Sequence, residues 1–437
     1  MLGVVVSRGD GASEAIGEQL LACADWRETT DPERPDAEGG GTVHRLPDAE
    51  LRTFDELHLF LEGLDDAFAD EVGLIAVASR HSGETGPLLT AHHTGNFGPA
   101  EYGGEPDALA RAAPAALSRV HAAFRRHAPE RYDVGLECTH HGPTAIDTPS
   151  LFVELGSTDE EWTDPEGARA VARAILALRG PDPDADRALV GFGGGHYVPR
   201  FERVVRETDW SVGHVAADWA LAAMGDPREH RGVIERAFER SGASHALVEP
   251  RDGSYDYDTL RGVIEELGYR VVSETWLRET DGIDLGLVAQ LEATLGSVEA
   301  GLRLGGRADA DAFEAVELPG ELLDAANGVD RERAVAVTTE EGASLLAPAV
   351  AAVPGERDAL VEALADVLRG GYDSVERVDG AVLAEERAFS PALARDRGVE
   401  EGPAFGRLAG GQPVEIQGRV VTPEEVHERR RHRFPVE

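Results

Sequence analysis

The sequence predicts an α/β fold: a mixed or mostly parallel sheet flanked by helices, followed by a smaller α+β domain. Residues 1 to about 275 alternate short apolar runs with amphipathic segments, which is typical of layered α/β domains. The length of 437 residues exceeds what one hydrophobic core usually serves. After Trp276 the chain becomes rich in Ala, Gly, Glu and Asp and poor in aromatic residues. We therefore expect two domains, residues 1–275 and 276–437.

Apolar runs in the first domain have the length and the residue types of strands. The first run is Gly-Val-Val-Val near the N-terminus. In order, the predicted strands are residues 3–6, 56–61, 73–78, 132–138, 151–155, 188–192 and 245–249.

The segments among these strands have apolar residues at three- and four-residue spacing, which predicts amphipathic helices. In order, the predicted helices cover residues 11–24, 106–127, 165–179, 228–242 and 257–267. Residues 28–41 contain prolines and consecutive glycines and predict an exposed loop. Residues 427–434 form a basic cluster, which fits either a solvated helix end or a contact with RNA.

The charge of the chain excludes several kinds of chemistry. There are 82 acidic residues against 42 basic ones, all of them arginine, and the formal net charge is -40. Without lysine, the chain cannot form the usual phosphate-binding loop or a Schiff base with pyridoxal phosphate. An acidic surface stays hydrated when salt screens charge, so this composition indicates a halophilic protein.

Cysteine content and hydropathy indicate where the protein works. Cys23 and Cys138 are far apart in the sequence, which argues against a disulfide framework, and they are too few for a zinc finger. No run of about 18 apolar residues occurs, so no transmembrane helix is expected. The N-terminus enters a strand without the basic region of a signal peptide. We expect a soluble, cytoplasmic protein with no membrane partner.

Histidines cluster near the ends of predicted strands. Residues 80–84, 91–96, 137–144 and 193–197 contain six of the fifteen histidines: His81, His92, His93, His140, His141 and His196. In open α/β sheets, ligands bind beyond the carboxyl ends of the strands, so these segments are expected to converge there.

Gathered histidines can transfer protons near neutral pH or hold a metal ion. Glu84, Glu137 and Glu154 lie nearby in sequence and would suit a catalytic divalent cation. The chain contains neither His-Glu-x-x-His nor Cys-x-x-Cys, so no standard metal pattern is matched. Any single histidine also fits a structural role, whereas the pair His140–His141 favours a functional one.

The glycine-rich segment 191–196 follows a predicted strand. His196 occupies the third glycine position of a dinucleotide fingerprint, which argues against NAD binding. Gly194 and Gly195 would bring backbone amides to a polar ligand, with Arg200 and Arg203 facing phosphates, although a plain turn fits equally. No Gly-x-Ser-x-Gly elbow supports a serine hydrolase. Cys138 fits a small buried residue better than a nucleophile.

The motifs identify a family resemblance that covers residues 1 to about 275. They are residues 79–84 with 89–96, 137–144 (Glu-Cys-Thr-His-His-Gly-Pro-Thr), 152–157 with Trp162, and 194–201 (Gly-Gly-His-Tyr-Val-Pro-Arg-Phe). With these blocks the chain closely resembles the archaeal D-aminoacyl-tRNA deacylases, a family that plants also possess. The resemblance implies an α/β fold likened to peptidyl-tRNA hydrolase and phosphorylase-like proteins, a zinc-dependent hydrolase of broad amino-acid specificity, and a monomer.

The resemblance implies an enzyme that cleaves the ester of D-aminoacyl-tRNA at the acceptor end, as proofreading in translation. Ester hydrolysis needs an activated water, a stabilised oxyanion and a proton for the leaving oxygen. The expected catalytic residues are His81, His92, Asn96, Thr139, His140, His141 and His196. The expected substrate-binding residues are Gly142, Pro143, Gly194, Gly195 and Arg200. The expected zinc ligands are His81, His140, His141, Glu137 and Glu154.

Two other functions remain open from sequence. The chain could be a zinc-dependent peptidase or amidohydrolase that acts on small acyl substrates, or a non-catalytic RNA-binding protein. Residues 276–437 lie outside the resemblance and look like an extension of halophilic members. Within them, residues 398–423 resemble a short stretch of tRNase Z-type enzymes. A tRNA-facing accessory domain and a purely stabilising domain both fit.

Overall fold

The computed structural model describes residues 1–68, 72–250, 255–304, 314–341, 344–346, 349–352 and 357–436. The chain divides into two compact units, Met1–Asp281 and Gly282–Glu437. The composition changes at Trp276, whereas the first unit continues to Asp281. The reason is that the ring of Trp276 is buried against Trp210, with 5.6 Å between ring centroids.

The first unit contains twelve of the described strands and nine of the described α-helices. The strands are β1 (Leu2–Ser7), β2 (Arg27–Asp31), β3 (Gly41–Leu46), β4 (Ala49–Phe54), β5 (Leu74–Arg80), β6 (Leu88–His92), β7 (Asp133–Val134), β8 (Ser150–Gly156), β9 (Ala188–Gly193), β10 (Ser211–Ala216), β11 (His245–Glu249) and β12 (Arg270–Val272). The helices are α1 (Gly11–Cys23), α2 (Pro114–His127), α3 (Asp159–Trp162), α4 (Pro165–Leu176), α5 (Pro199–Glu207), α6 (Asp218–Met224), α7 (Arg231–Ser241), α8 (Tyr257–Glu266) and α9 (Glu274–Glu279). Two 3₁₀ helices, His58–Phe60 and Leu64–Ala67, precede β5.

These strands form two sheets. The larger sheet has the order β2-β3-β4-β1-β5-β8-β6-β7, in which β4, β1, β5 and β8 run parallel and β6 runs antiparallel to β8. The smaller sheet, β10-β9-β11-β12, is entirely parallel. Strands β1 and β8 are buried at every residue, which is typical of strands covered on both faces of a parallel sheet.

Side-chain caps fix where the helices near the site begin. Asp10 accepts hydrogen bonds from the amides of Ala12 and Ser13 at the start of α1. Asp164 caps α4 in the same way, and Pro165 occupies its first turn, where a missing amide hydrogen costs nothing.

The strand predicted at residues 56–61 is wrong. That segment contains the 3₁₀ helix His58–Phe60, and the strand beside β1 is β4. The sequence of β4 is Ala-Glu-Leu-Arg-Thr-Phe, whose charged residues hid it from a hydropathy pattern. Both charged side chains are buried. Arg52 Nε donates to Glu50 Oε1 at 2.6 Å, so each charge is neutralised by the other inside the protein.

The strand predicted at residues 132–138 is short in the structure, where only Asp133–Val134 are paired as a strand. The rest of the segment crosses from one sheet to the other. The amide of Glu137 donates to Ala91 O, whereas those of Cys138 and Thr139 donate to His196 O and Val215 O. Because its backbone partners change from residue to residue, the segment cannot continue as a regular strand.

Other predicted boundaries also differ. The helix predicted from residue 106 begins at Pro114, and the one predicted from residue 228 begins at Arg231. The loop predicted at residues 28–41 begins within β2, which pairs with β3. Strands β3, β6, β10 and β12 were not predicted from the sequence.

The second unit is smaller and its described sheets are antiparallel. Its strands are β13 (Arg303–Leu304), β14 (Glu314–Glu317), β15 (Ser344–Leu346), β16 (Ala349–Ala352), β17 (Ser374–Val378), β18 (Ala381–Phe389), β19 (Val414–Ile416), β20 (Arg419–Val421) and β21 (His427–Pro435). Its helices are α10 (Leu285–Leu295), α11 (Gly320–Val329), α12 (Arg331–Glu341), α13 (Arg357–Leu368), α14 (Pro391–Asp396), α15 (Pro403–Ala409) and α16 (Pro423–Val426), with a 3₁₀ helix at Val298–Ala300. The basic cluster at residues 427–434 therefore lies on a strand, and the helix end considered for it is wrong.

The predicted fold class is confirmed: a mixed, mostly parallel sheet with flanking helices, and a smaller region of antiparallel sheets and helices. Among the described residues, no helix combines the length and the apolar character needed to span a bilayer.

Candidate active site

A cavity of about 610 Å³ lies where β5, β8, the crossing segment 137–141 and the loop after β9 meet. Seven of the predicted site residues line it: His81, Asn96, Glu137, His140, His141, Glu154 and His196. A larger cavity of about 940 Å³ lies elsewhere, at the first residues of β1 and β5, and no histidine lines it. The chemistry is therefore concentrated in the smaller cavity.

Strand register explains how these side chains meet. Ser79 on β5 pairs with Glu154 on β8, and Thr90 on β6 pairs with Glu154 from the other side. His81 directly follows β5, and His92 is the last residue of β6. Glu154 therefore lies between two strands that each deliver a histidine.

Glu154 is a buried carboxylate surrounded by donors. Its Oε1 accepts a hydrogen bond from Ser79 Oγ at 2.9 Å and lies 3.4 Å from His92 Nε2. Its Oε2 lies 3.7 Å from His81 Nδ1. Burial alone would raise the pKa of Glu154, but the neighbouring imidazoles of His81 and His92 outweigh it and lower the pKa to about 2.

Glu137 is the second buried carboxylate and contacts histidines from three segments. Its Oε2 accepts from His196 Nε2 at 2.7 Å and lies 3.6 Å from His140 Nε2. Its Oε1 lies 3.0 Å from His81 Nδ1, without the alignment of a hydrogen bond, and has no other partner. Despite burial, the hydrogen bond from His196 and the close approach of His81 hold the pKa of Glu137 well below its usual range.

His81 carries a positive charge at neutral pH. Burial would lower its pKa, but Glu137 and Glu154 outweigh burial and raise the pKa to about 10. Its Nε2 lies 3.0 Å from the hydroxyl of Tyr197. An imidazolium thus faces the cavity between two carboxylates and can stabilise negative charge that develops on a substrate.

Three other imidazoles pack together beside this charged group. Ring centroids are 4.1 Å apart for His92 and His140, 4.8 Å for His92 and His141, and 4.4 Å for His140 and His141. Each Nδ1 faces a backbone carbonyl, at 3.1, 2.8 and 2.6 Å respectively. Burial lowers the pKa of His140 to about 3 and that of His141 well below its usual value. Neutral His140 and His141 therefore keep a lone pair on Nε2.

These side chains form overlapping groups that could hold a metal ion. Among the described residues, donor atoms within 4.8 Å of one another occur in three groups: His92, His140 and His141; Cys138, His140 and His196; His81, Glu137 and Glu154. The five predicted ligands are thus divided between groups. Glu84 is exposed and belongs to none of them.

The donor chemistry fits zinc. Zinc-bound histidines commonly donate their second ring nitrogen to a carbonyl, which is the arrangement of His92, His140 and His141. Glu137 Oε1, which is buried and lacks a hydrogen bond, also suits a nearby cation.

The side chains of two predicted catalytic residues bond to other parts of the protein. The hydroxyl of Thr139 is 3.1 Å from His214 Nδ1 and accepts from the amide of Val215 at 3.0 Å. The side-chain amide of Asn96 donates to Gly103 O and Glu105 O. These bonds hold the loops in place, so both side chains already have partners within the protein.

The remaining predicted substrate-binding residues are not among those that line the cavity. Gly142, Pro143, Gly194 and Gly195 belong to its loops. Arg200 and Arg203, expected to face phosphates, both bind Glu274 on α9, at 3.2 and 2.7 Å. Cys138 is fully buried, as expected, and burial raises the pKa of its thiol.

Other side chains at the site were not found from sequence. His58 Nε2 lies 2.8 Å from Ser79 Oγ, and both residues line the cavity. Tyr102 and Trp219 also line it. His58 lies in the wrongly predicted strand and Trp219 on the unassigned helix α6, so neither was placed near the cluster.

Two buried histidines have a structural role. His93 Nδ1 donates to Gly213 O at 3.0 Å, and its Nε2 accepts from the amide of Ala113 at 3.1 Å. His214 Nε2 donates to Ala110 O at 2.9 Å while its Nδ1 faces Thr139. Burial lowers their pKa values to about 4 and about 3, so both are neutral. They join β10 to the loops that carry the site.

Fold and site together define an α/β protein whose cavity carries buried carboxylates and both charged and neutral imidazoles, a set suited to hydrolysis. A family model described as D-aminoacyl-tRNA deacylase matches residues 68–272. The chain belongs to the D-aminoacyl-tRNA deacylase family, as its full-length similarity to relatives shows.

Those relatives are proteins named D-aminoacyl-tRNA deacylase. One from Natronomonas pharaonis is 55% identical, covering 99% of this chain and 100% of the relative. One from Halorubrum lacusprofundi is 50% identical over 100% and 97% of the two chains, and one from Haloarcula marismortui is 48% identical over 99% and 100%. The crystal structure of a conserved protein of unknown function is also similar, with a TM-score of 0.56 and 29% identity over 64% of this chain and 98% of that one.

Proposed function

We propose that this protein hydrolyses the ester bond of D-aminoacyl-tRNA, releasing the free D-amino acid and tRNA, and so proofreads translation with broad side-chain tolerance. The observation that carries the proposal is the cavity in which charged His81 faces neutral His140 and His141. Family membership over the whole chain supports the substrate.

The neutral imidazoles are suited to accept a proton from water. His140 Nδ1 donates to Cys138 O, which leaves the Nε2 lone pair available. Glu137 Oε2, 3.6 Å from that Nε2, would stabilise the imidazolium that forms. His141 is held in the same tautomer by Gly142 O. We assign water activation to this pair, either as proton acceptors through a free Nε2 or as ligands of a metal ion that would make the water more acidic.

The charge that develops on the ester oxygen needs a donor in the cavity. His81 remains protonated at neutral pH and lines the cavity, so we assign it this role. Asn96 and Thr139 also carry hydrogen-bond donors, but their side chains already hold backbone and side-chain partners. They would then position the loops that shape the site.

We further propose that the site uses Zn²⁺, held by His92, His140 and His141, with Glu137 and Glu154 close by. Zinc at such a site supplies Lewis acidity that polarises an ester carbonyl and makes water more acidic. The carbonyl bonds of the three Nδ1 atoms support this choice because they leave Nε2 of each ring as the candidate ligand atom.

We also propose where the protein acts and which partner it binds. A charge of -40 without lysine, and relatives from haloarchaea, support a halophilic protein of the cytoplasm. The acceptor end of tRNA would be the partner, and the protein would act as a monomer.

One assay separates the proposal from its alternatives. The pure protein is incubated with D-tyrosyl-tRNA, L-tyrosyl-tRNA and a small peptide, with and without a chelator. A D-aminoacyl-tRNA deacylase releases tyrosine only from the D form, and the chelator stops it if zinc is required. Cleavage of the peptide would instead indicate a zinc-dependent peptidase, and no cleavage at all would indicate an RNA-binding protein.

A further inference from the structure

Exposed aromatic side chains are concentrated at the mouth of the active-site cavity. Among the described residues, the exposed phenylalanine, tyrosine and tryptophan side chains are Phe60 (54% exposed), Tyr102 (68%), Tyr197 (38%) and Trp219 (50%). Tyr102 and Trp219 line the cavity, and Phe60 follows Leu59, which also lines it. Exposed apolar surface gathered in one place marks a binding site.

The loops that carry Phe60 and Tyr102 lie against each other. A Cβ atom on Gly103 would stand 2.1 Å from Leu59 O and 3.3 Å from the ring of Phe60. Gly103 also has a positive φ of 79°. Only glycine fits there without displacing a loop, so the close approach of the two aromatic residues is built into the backbone.

Trp219 reaches the cavity from helix α6, and half of its surface stays exposed. Tyr197 differs from the other three because its hydroxyl contacts His81. We therefore treat Phe60, Tyr102 and Trp219 as the aromatic rim and Tyr197 as part of the catalytic site.

Charge complementarity cannot supply much affinity for RNA in this chain. At a formal charge of -40, distant carboxylates repel phosphates, whereas ionic contacts normally dominate nucleic-acid binding. Flat aromatic faces bind unpaired bases by stacking, which does not depend on the sign of the protein's charge. The acceptor end of every tRNA is single-stranded and presents such bases next to the esterified ribose.

We propose that Phe60, Tyr102 and Trp219 stack on the unpaired bases of the tRNA acceptor end and thereby position the ester in the cavity. The proposal rests on the proposed function, and it names the part of the substrate that this rim binds. Because the terminal CCA bases are common to all tRNAs, recognition through them leaves the amino-acid side chain unread. Broad side-chain tolerance follows.

The first test measures binding without catalysis. The full-length protein is titrated with the trinucleotide CCA by calorimetry, using wild type, Trp219→Ala, Tyr102→Ala and Trp219→Phe. Each alanine variant should bind CCA about tenfold more weakly, while Trp219→Phe should retain most of the affinity because a ring remains. Leu21→Ala, which removes exposed apolar surface on α1 far from the rim in sequence, is the control and should bind as wild type does.

The second test identifies the occupant. KM is measured for D-alanyl-tRNA and D-phenylalanyl-tRNA with the same variants. Stacking on bases predicts the same rise in KM, about tenfold, for both substrates. A rise confined to D-phenylalanyl-tRNA would show that the rim holds the amino-acid side chain and would overturn the inference.

Failure of the inference and failure of the proposed function can be distinguished. Wild type that binds CCA but does not deacylate would refute the function and leave the rim intact. Wild type that deacylates, with alanine variants unchanged in CCA affinity and KM, would refute the rim alone. Far-UV circular dichroism of each variant verifies that it is folded.

Discussion

His196 Nε2 lies 2.7 Å from Glu137 Oε2, and this bond joins residues that are far apart in sequence at the boundary between two sheets. Glu137 precedes the residues whose amides bond to the second sheet, and His196 follows β9 of that sheet. The same carboxylate contacts His81 and His140. Glu137 is therefore the centre on which both the stability and the chemistry of the site depend.

Replacing Glu137 should be costly. Glu137→Gln keeps the shape but removes the carboxylate that bonds to His196 and one of the two carboxylates beside charged His81, and removing one member of a buried charged pair costs about 3–5 kcal/mol. Urea unfolding should show that loss, and deacylation should fall at least about 100-fold. Glu166→Gln, which breaks an exposed pair with Arg131, is the matched control and should cost at most about 1 kcal/mol. Equal stability of the two variants would contradict the central role of Glu137.

The buried histidine His214 should make stability depend on pH. Burial lowers its pKa to about 3, whereas the unfolded chain titrates near 6.5, so only the unfolded state binds this proton between those values. The free energy of unfolding should therefore fall as pH drops from 6.5. In His214→Gln the slope between pH 6 and 4 should be smaller by about 1.4 kcal/mol per pH unit. His44→Gln, on strand β3, is the control, and identical slopes in wild type and His214→Gln would rule the effect out.

The second unit should contribute to tRNA binding through β21. Strand β21 pairs with β18, and Arg387 of β18 lies directly opposite Arg429 of β21. Arg433 of β21 is exposed on the same face as Arg429. Like charges opposite each other destabilise a sheet unless an anion covers them. Replacing these three arginines by glutamine should weaken binding of uncharged tRNA at least about threefold.

The control for that measurement carries the same change in net charge. Arg331, Arg333 and Arg407 are exposed in the same unit, on α12 and α15, and are replaced together by glutamine. Equal affinities of the two triple variants would favour a purely stabilising domain.

Raising the salt concentration from low values should at first strengthen tRNA binding. The screening length falls from about 10 Å at 0.1 M to about 3 Å at 1 M, so repulsion between phosphates and distant carboxylates fades first. Stacking and local arginine contacts then determine affinity. Titrations of uncharged tRNA at increasing KCl, within the range where the fold is retained, should show a falling Kd. A Kd that rises steadily from the lowest salt would contradict this expectation.

Sequence patterns identified the parts of the fold in which burial is continuous. β1, β5 and β8 are apolar runs, and their pairing brings the motif residues His81 and Glu154 together. β4 escaped detection because Glu50 and Arg52 compensate each other inside the protein. A pairing of that kind depends on three-dimensional contact and leaves only a polar pattern in the sequence.

The candidate site, like the fold, was predictable only in part. The motif histidines indicated the cavity, but the contacts of each side chain depend on partners that are distant in the sequence. Asn96 binds backbone carbonyls, and Arg200 binds Glu274, 74 residues away. His58 and Trp219 reach the cavity from elements that carry no recognisable motif. Only the folded backbone brings them there.

The central claim is that the imidazoles gathered in this cavity cut the ester of a D-aminoacyl-tRNA. Its most direct test is the single-turnover rate on D-tyrosyl-tRNA and L-tyrosyl-tRNA for wild type, His140→Ala and His141→Ala, together with the zinc content of each protein. We predict cleavage of the D form alone, a rate at least about 100-fold lower in both variants, and loss of zinc from both. Undiminished cleavage in both variants, or equal cleavage of the L form, would contradict the claim.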